Sequence, residues 1–133
     1  MKIKRVEHIA LAVHDMAKSM AMLENTLGLE LDYEETIGET KLAMFPVGET
    51  YLELLQAGGP TSPVADWIAE RGQSLYHLCF EVEDIDAALN ELRDKGVKLL
   101  DETPKGGHGG SRIAFLDPAS TGDILIELAE LPA

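Results

Sequence analysis

Two short and mostly apolar runs, one in each half of the chain, show an alternating pattern of side chains. Each run carries one histidine. The runs cover Val6–Val13, with His8, and Leu75–Val82, with His77. Runs of this length and pattern are typical of strands, in which successive side chains point to opposite faces. We therefore predict that each half of the chain begins with a strand that presents a histidine on one face.

A helix is predicted after each of these strands. Asp15 and Asp84 stand where an N-cap side chain accepts hydrogen bonds from the free N–H groups of a first turn. Gly28 and Gly96 stand at the predicted ends, because glycine adopts the left-handed capping conformation without strain. The apolar positions between them have the spacing of one helical face: Met16, Met20, Leu23 and Leu27 in the first half, and Ile85, Leu89 and Leu92 in the second.

Three short strands are predicted after each helix, and a connecting helix between the halves. The connector covers residues 61–72, with Thr61 or Ser62 as its cap, Pro63 in its first turn and Gly72 at its end. The strands lie near Glu30–Thr36, Lys41–Val47 and Tyr51–Gln56, and near Lys98–Asp101, Arg112–Leu116 and Ile124–Ala129. We therefore expect one α+β domain of residues 1–133 that contains two βαβββ modules, at about residues 1–60 and 73–131.

The two modules form an internal repeat at an offset of 69 residues. At this offset, residues of the same type coincide: His8 with His77, Val13 with Val82, and Asp15 with Asp84. Further along, LEL around Glu53 resembles IEL around Glu127. A repeat over most of both halves predicts two copies of one structural unit.

The repeat places two histidines and two glutamates at equivalent positions. Taken singly, His8 and His77 are more typical of hydrogen-bonded core residues, and a strand glutamate is more typical of a solvent-facing one. Glu53 and Glu127 stand among apolar neighbours, however, where a buried carboxylate is costly unless it is paired or bound to a cation. Pairing the modules about a pseudo-twofold axis would bring the four side chains together. Two imidazoles and two carboxylates suit a divalent Zn, Co, Ni, Mn or Fe ion.

Composition narrows the range of partners. The chain has 133 residues and a formal net charge of −13, which disfavours nucleic acids and anionic membranes as partners. No apolar run approaches the roughly 20 residues needed to span a bilayer. The single cysteine, Cys79, excludes an intrachain disulfide and fits a reducing compartment. We expect a cytoplasmic protein.

The repeat, the strands HIALAV and HLCFEV, and the two E-L strands resemble the vicinal-oxygen-chelate superfamily, also called the glyoxalase/bleomycin-resistance/dioxygenase superfamily. Within it the chain is most similar to the methylmalonyl-CoA epimerases. The segments that carry this resemblance are VGETYLELLQ, SPVADWIAERG and LLDETPKGGHGGSRIAFLDPASTGDILIEL. The resemblance extends over nearly the whole chain.

The resemblance implies curved mixed sheets that form a metal-binding cleft, with His8, Glu53, His77 and Glu127 as ligands of one divalent ion. It implies an acyl-CoA substrate, whose thioester and carboxylate oxygens the metal chelates while a carboxylate removes the C2 proton. Glu127 would be both a ligand and the catalytic carboxylate. The family also suggests a homodimer.

Three positions depart from the family pattern. Tyr76 stands where the family usually has a first of two adjacent histidines, and residues 117–119, Asp-Pro-Ala, replace a segment that often ends in lysine. Some bacterial epimerases carry a second catalytic glutamate at about the position of Leu42. Lys41 and Glu39 are nearby, but a slip of the strand ladder would be needed to place either in the site.

Two alternatives remain open. Bacterial glyoxalase I also uses His, Glu, His, Glu, and it too acts through a metal-stabilised enediolate. The C-terminal motif and Met22-Leu23, where glyoxalases tend to have an aromatic pair, favour the epimerase. A bleomycin-resistance-like protein would bind a cationic drug without catalysis, but it would not need four metal ligands.

The glycine-rich stretch Pro104–Gly110 is predicted to be a mobile loop that lies between strands of the second module. A lid or substrate clamp fits such a position. His108 within it is expected to face solvent. We expect Cys79 to be inert core filling and Trp67 to serve in packing.

Overall fold

Strand β1 (Ile3–Ala12) begins in one structural unit of the protein and ends in another. The computed structural model describes residues 1–133. The first unit is His8–Tyr76, and the second unit joins Met1–Glu7 to His77–Ala133. The backbone therefore passes between the units twice, at the peptide bonds that precede His8 and His77.

The first unit contains one βαβββ module followed by the connecting helix. Its sheet has the order β2-β3-β4-β1, in which β1 and β4 run parallel and the other neighbours run antiparallel. The elements after β1 are α1 (Met16–Ala21), which continues as a π-helical turn (Met22–Thr26), β2 (Tyr33–Ile37), β3 (Thr40–Val47), β4 (Thr50–Ala57) and α2 (Pro63–Arg71).

The second unit repeats this arrangement. Its strand order is β5-β8-β7-β6, in which β5 and β8 run parallel and the other neighbours run antiparallel. Its elements are β5 (Ser74–Val82, shared at its start with the first unit), α3 (Ile85–Asp94), β6 (Lys105–Gly106), β7 (Arg112–Phe115) and β8 (Ile126–Glu130). The predicted α+β fold with two βαβββ modules is confirmed.

The helices form where the capping residues predict them. The Asp15 side chain accepts a hydrogen bond from the Lys18 amide at 3.1 Å, and Asp84 accepts one from the Ala87 amide at 3.0 Å. Ser62 caps the connector helix. Each module then buries one helical face against its own sheet: Met16 and Leu23 pack with Phe45 and Leu54, and Ile85, Leu89 and Leu92 pack with Ala114 and Leu128.

Some predicted details are wrong. Leu27 is 60% exposed, because the π-helical turn widens the end of the first helix and moves this residue off the buried face. No strand forms at Lys98–Asp101, where Leu99 makes an isolated bridge to Leu116. The short edge strand lies instead at Lys105–Gly106, inside the stretch predicted as a loop. None of the helices has the length and apolar composition that crossing a bilayer requires.

Candidate metal centre

The first unit brings His8 and Glu53 together. Strands β1 and β4 are parallel, and Ala10 lies opposite Glu53, so His8 is two residues upstream on the same face. The distance between His8 Nε2 and Glu53 Oε1 is 3.3 Å. Both side chains are almost completely buried, and Met44 of β3 lies opposite Glu53. The carboxylate therefore has an imidazole on one side and an apolar strand on the other.

The second unit brings His77 and Glu127 together in the same way. Strands β5 and β8 are parallel, and Cys79 lies opposite Glu127, again two residues after the histidine. The distance between His77 Nε2 and Glu127 Oε1 is 3.1 Å, and both residues are buried. Phe115, opposite Glu127 on β7, presents its ring edge-on to His77 at 5.1 Å between centroids. Cys79 is fully buried and packs with Ile113 and Ala129, and its Sγ lies within 4.8 Å of a carboxylate oxygen of Glu7.

The two pairs therefore have one design. In each, a histidine stands two residues before the register partner of a glutamate on a parallel strand, and an N–O distance near 3 Å separates the side chains. A carboxylate buried this deeply needs a proton, a cationic partner or a metal ion. The chain thus carries buried His and Glu groups of the kind that can hold a metal ion. Imidazole nitrogen and carboxylate oxygen together fit a divalent transition metal.

A buried pair that the sequence pattern does not reveal lies in the second unit. His108 Nε2 and Glu7 Oε1 are 2.8 Å apart, and the two residues are 6% and 1% exposed. The expectation of a solvent-facing His108 is therefore wrong, because the glycine-rich stretch folds inward and seats the imidazole on Glu7. Neither residue has a same-type counterpart at the repeat offset, so the signal that identifies the other four residues is missing here.

The glycine-rich stretch lies beside the His77–Glu127 pair. Lys105 Nζ is 5.5 Å from the centroid of the Phe115 ring, which contacts His77. Gly107 packs so closely on Ile113 that a Cβ there would lie 2.6 Å from Ile113 Cγ2. The Ser111 hydroxyl is buried without a hydrogen-bond partner. This hydroxyl is therefore an unused hydrogen-bonding group in the interior.

The residues near Leu42 do not supply a second carboxylate or amine by a ladder slip. Leu42 lies opposite Leu55 and is buried on the face that carries Glu53. Lys41 lies opposite Gln56, on the other face, and is exposed. Hydrogen bonds from the Thr61 hydroxyl and amide lower the pKa of Glu39 and hold this residue outside the strand. The ladder is regular, so neither Lys41 nor Glu39 shares the face of Leu42.

Comparison with known proteins gives a consistent result. A model of the Glyoxalase/Bleomycin resistance protein/Dioxygenase superfamily matches residues 7–115. The Bacillus subtilis protein YqjC is 35% identical over 96% of this chain and 93% of its own length. The ethylmalonyl-CoA/methylmalonyl-CoA epimerase of Cereibacter sphaeroides is 33% identical, over 97% of this chain and 99% of its own.

Solved structures agree with this assignment. A variant of the methylmalonyl-CoA epimerase of Streptomyces coelicolor, in complex with 2-nitronate-propionyl-CoA, superposes with a TM-score of 0.95 at 33% identity. The match covers 99% of this chain and 97% of that one. The resemblance inferred from the repeat and its motifs is confirmed, and the homologues include isomerases that act on acyl-CoA thioesters. The chain belongs to the glyoxalase/bleomycin resistance protein/dioxygenase superfamily.

Proposed function

We propose that this protein is an epimerase that inverts C2 of methylmalonyl-CoA. The observation that carries the proposal is the pair of matching, buried imidazole–carboxylate sites, in a chain whose relatives include epimerases of this substrate. We further propose that residues 1–133 form one domain and that His8, Glu53, His77 and Glu127 bind a single divalent ion. The identical registers of the two pairs and the internal repeat support that convergence.

The donor set determines what such an ion contributes. Bound by two imidazoles and two carboxylates, a divalent cation would stabilise the negative charge that develops on the thioester oxygen when the C2 proton leaves. The residues themselves make this possible by their burial, because charges interact more strongly where water is excluded.

Glu127 is the proposed proton acceptor. The C2–H bond breaks, its electron pair enters the enolate, and the proton passes to a Glu127 carboxylate oxygen. A proton from water returns to the opposite face of the planar carbon, which inverts the centre, and Glu127 then releases its proton to water.

The glycine-rich stretch is the proposed contact for the polar part of the substrate. The Ser111 hydroxyl offers an unused hydrogen-bonding group, and Lys105 places an ammonium group next to the Phe115 ring. Lys105 approaches the His77–Glu127 pair through Phe115, and Ser111 directly precedes β7, the strand that carries Phe115. An acyl-CoA substrate carries carboxylate, amide and phosphate groups that such residues can bind.

Metal content tests the centre first. We expect about one divalent ion per chain, and we expect His8→Ala, Glu53→Ala, His77→Ala and Glu127→Ala each to weaken binding, because each removes a ligand. Elemental analysis of purified protein measures the occupancy. Glu130→Ala is a matched control, since Glu130 is also on β8 but contacts the Ile85 amide and Arg112. Full occupancy in all four ligand variants would exclude the centre.

Substrate preference tests the reaction. We expect exchange of the C2 hydrogen of methylmalonyl-CoA with deuterated solvent, faster than isomerisation of the methylglyoxal–glutathione hemithioacetal. Nuclear magnetic resonance follows both reactions with the same metal-loaded protein. Glyoxalase I is the second candidate because its bacterial form shares the His, Glu, His, Glu set, and the reverse ranking would favour it. Activity that persists after chelation of all metal would exclude the role of the ion.

A further inference from the structure

We propose that Glu7 and His108 are positioning residues: their buried pair fixes the glycine-rich segment, residues 105–111, beside the His77–Glu127 pair. The consequence for substrate binding rests on the proposed function, whereas the structural role does not. The pair joins residues that are 101 positions apart in the chain, at 2.8 Å, with both side chains buried. Two polar groups are buried at such cost only where each satisfies the other.

The segment needs a contact with another element because its glycine-rich sequence does not by itself determine one backbone conformation. Four of its seven residues are glycines, and Gly109 and Gly110 have φ angles of 60° and 76°. Glycine loses more conformational freedom on ordering than any other residue. Two backbone hydrogen bonds close the turn, from the Gly107 amide to the Ser111 carbonyl and from the Ser111 amide to the His108 carbonyl. His108 is the side chain of this turn that is buried against another element.

The position of this segment matters because it carries two candidate substrate contacts. It carries the Ser111 hydroxyl, which is buried without a partner, and Lys105, which lies over the Phe115 ring. Phe115 is the register partner of Glu127 and contacts His77. A displacement of the segment would therefore move two candidate substrate contacts relative to the catalytic pair, while the ligands themselves remain on regular strands.

Glu7 is suited to this task because it belongs to strand β1, directly before the proposed ligand His8. It is also held from a second direction, since Arg5 Nη2 lies 3.9 Å from Glu7 Oε2 and Arg5 Nε binds Glu81 at 2.7 Å. Removal of His108 therefore leaves the Glu7 carboxylate near a cation. For this reason we expect His108→Ala to release the segment without unfolding the unit.

Amide hydrogen exchange in the full-length protein tests the attachment without any assay of activity. In His108→Ala and Glu7→Ala we expect the Gly107 and Ser111 amides to exchange roughly tenfold faster than in the unsubstituted protein, since the turn opens more often. Amides of β3 and β4 should keep their rates. Glu102→Ala is the control: it also removes an ion-paired carboxylate of the second unit, but its partner is Arg93 of α3. It should leave the Gly107 and Ser111 amides unchanged.

Kinetics with methylmalonyl-CoA then separate positioning from chemistry. We expect His108→Ala to raise KM roughly tenfold with kcat within a factor of about three, because ground-state contacts are loosened while Glu127 stays in place. Glu7→Gln should restore most of the affinity, since its amide oxygen can still accept from the imidazole. The double variant Glu7→Ala/His108→Ala should cost no more than the worse single variant. Metal content, measured alongside, should be unchanged in His108→Ala.

The outcomes are distinguishable. Unchanged exchange at Gly107 and Ser111 in His108→Ala would overturn the proposal, and so would faster exchange throughout the chain, which marks a purely structural pair. A fall in kcat at constant KM would overturn the substrate-positioning role. If the unsubstituted protein turns over no methylmalonyl-CoA, the proposed function fails, while the exchange of the two amides still decides whether Glu7 and His108 fix the segment.

Discussion

At the scale of single residues, the site depends on carboxylates that are buried beside imidazoles. Glu53 and Glu127 each lie within about 3 Å of a histidine nitrogen and have almost no contact with solvent. In such a setting the charge of the carboxylate must be balanced locally. The need for local charge balance is relevant to the proposed proton transfer. A carboxylate whose charge depends on its partners can accept a proton and release it again.

Glu127→Gln tests the proposed base directly. We expect turnover of methylmalonyl-CoA to fall on the order of a hundredfold or more, as for loss of a general base, because an amide cannot accept the C2 proton. The amide oxygen of the glutamine can still coordinate the metal ion, so part of the metal should be retained. Steady-state kinetics with elemental analysis measure both effects. Glu130→Gln, on the same strand, is the control, and equal losses in the two variants would contradict the role of Glu127.

The four proposed ligands can be identified from the sequence because each has a partner of the same type in the repeat. Glu7 and His108 cannot, since their contact spans 101 positions and has no counterpart in the other module. A histidine among glycines resembles a solvent-exposed loop residue until the fold shows that Glu7 faces it. For Leu42 the sequence predicts part of the result, because its strand and face follow from the alternating pattern. The regular strand ladder, which keeps Lys41 off the face of Leu42, is seen only in the structure.

At the scale of secondary-structure elements, capping and turn chemistry predicted the helices well. The strand expected at Lys98–Asp101 fails for a local reason. The Asp101 carboxylate accepts the Phe115 amide at 2.8 Å, and Leu100 is 55% exposed. The Phe115 amide thus donates to a side chain, whereas its carbonyl accepts from both the Leu100 and the Asp101 amides, so no regular ladder extends beyond the bridge at Leu99. Apolar pattern alone does not reveal this competition.

The two helix caps provide a prediction at this scale. Asp15→Ala and Asp84→Ala should each lower the free energy of unfolding by about 1 kcal/mol, because each leaves a first-turn amide without its acceptor. Urea unfolding monitored by circular dichroism measures the change. Asp94→Ala, at the other end of α3, removes a negative charge from the negative end of the helix dipole and should not destabilise. Equal losses at Asp84 and Asp94 would refute the capping explanation.

At the scale of the whole molecule, the negative net charge of the chain repels the proposed substrate, which is also negatively charged. The chain carries 24 acidic and 11 basic residues, and several of the cations are engaged in ion pairs, among them Arg5, Arg93, Lys95 and Arg112. An acyl-CoA is itself an anion. Approach of the substrate is therefore expected to be slowed by long-range repulsion, whatever local contacts the site supplies.

Ionic strength tests this expectation. We expect kcat/KM for methylmalonyl-CoA to rise by a few-fold, roughly, between low salt and 0.2 M salt, because the Debye length shrinks to below about 10 Å. A thioester that lacks the coenzyme A phosphates is the control and should respond less. A decrease of kcat/KM with salt would show that a local positive surface, and not the net charge, dominates the encounter.

The split of strand β1 between the units has a consequence for how the chain can be divided. The first unit is one continuous segment, whereas the second needs Met1–Glu7 from the opposite end of the chain. A gene cut within the connector would therefore yield a C-terminal fragment that lacks Met1–Glu7. This fragment would thus lack Glu7, the partner of His108. We expect this fragment to regain the Glu7–His108 contact only when the N-terminal fragment supplies Met1–Glu7 in trans.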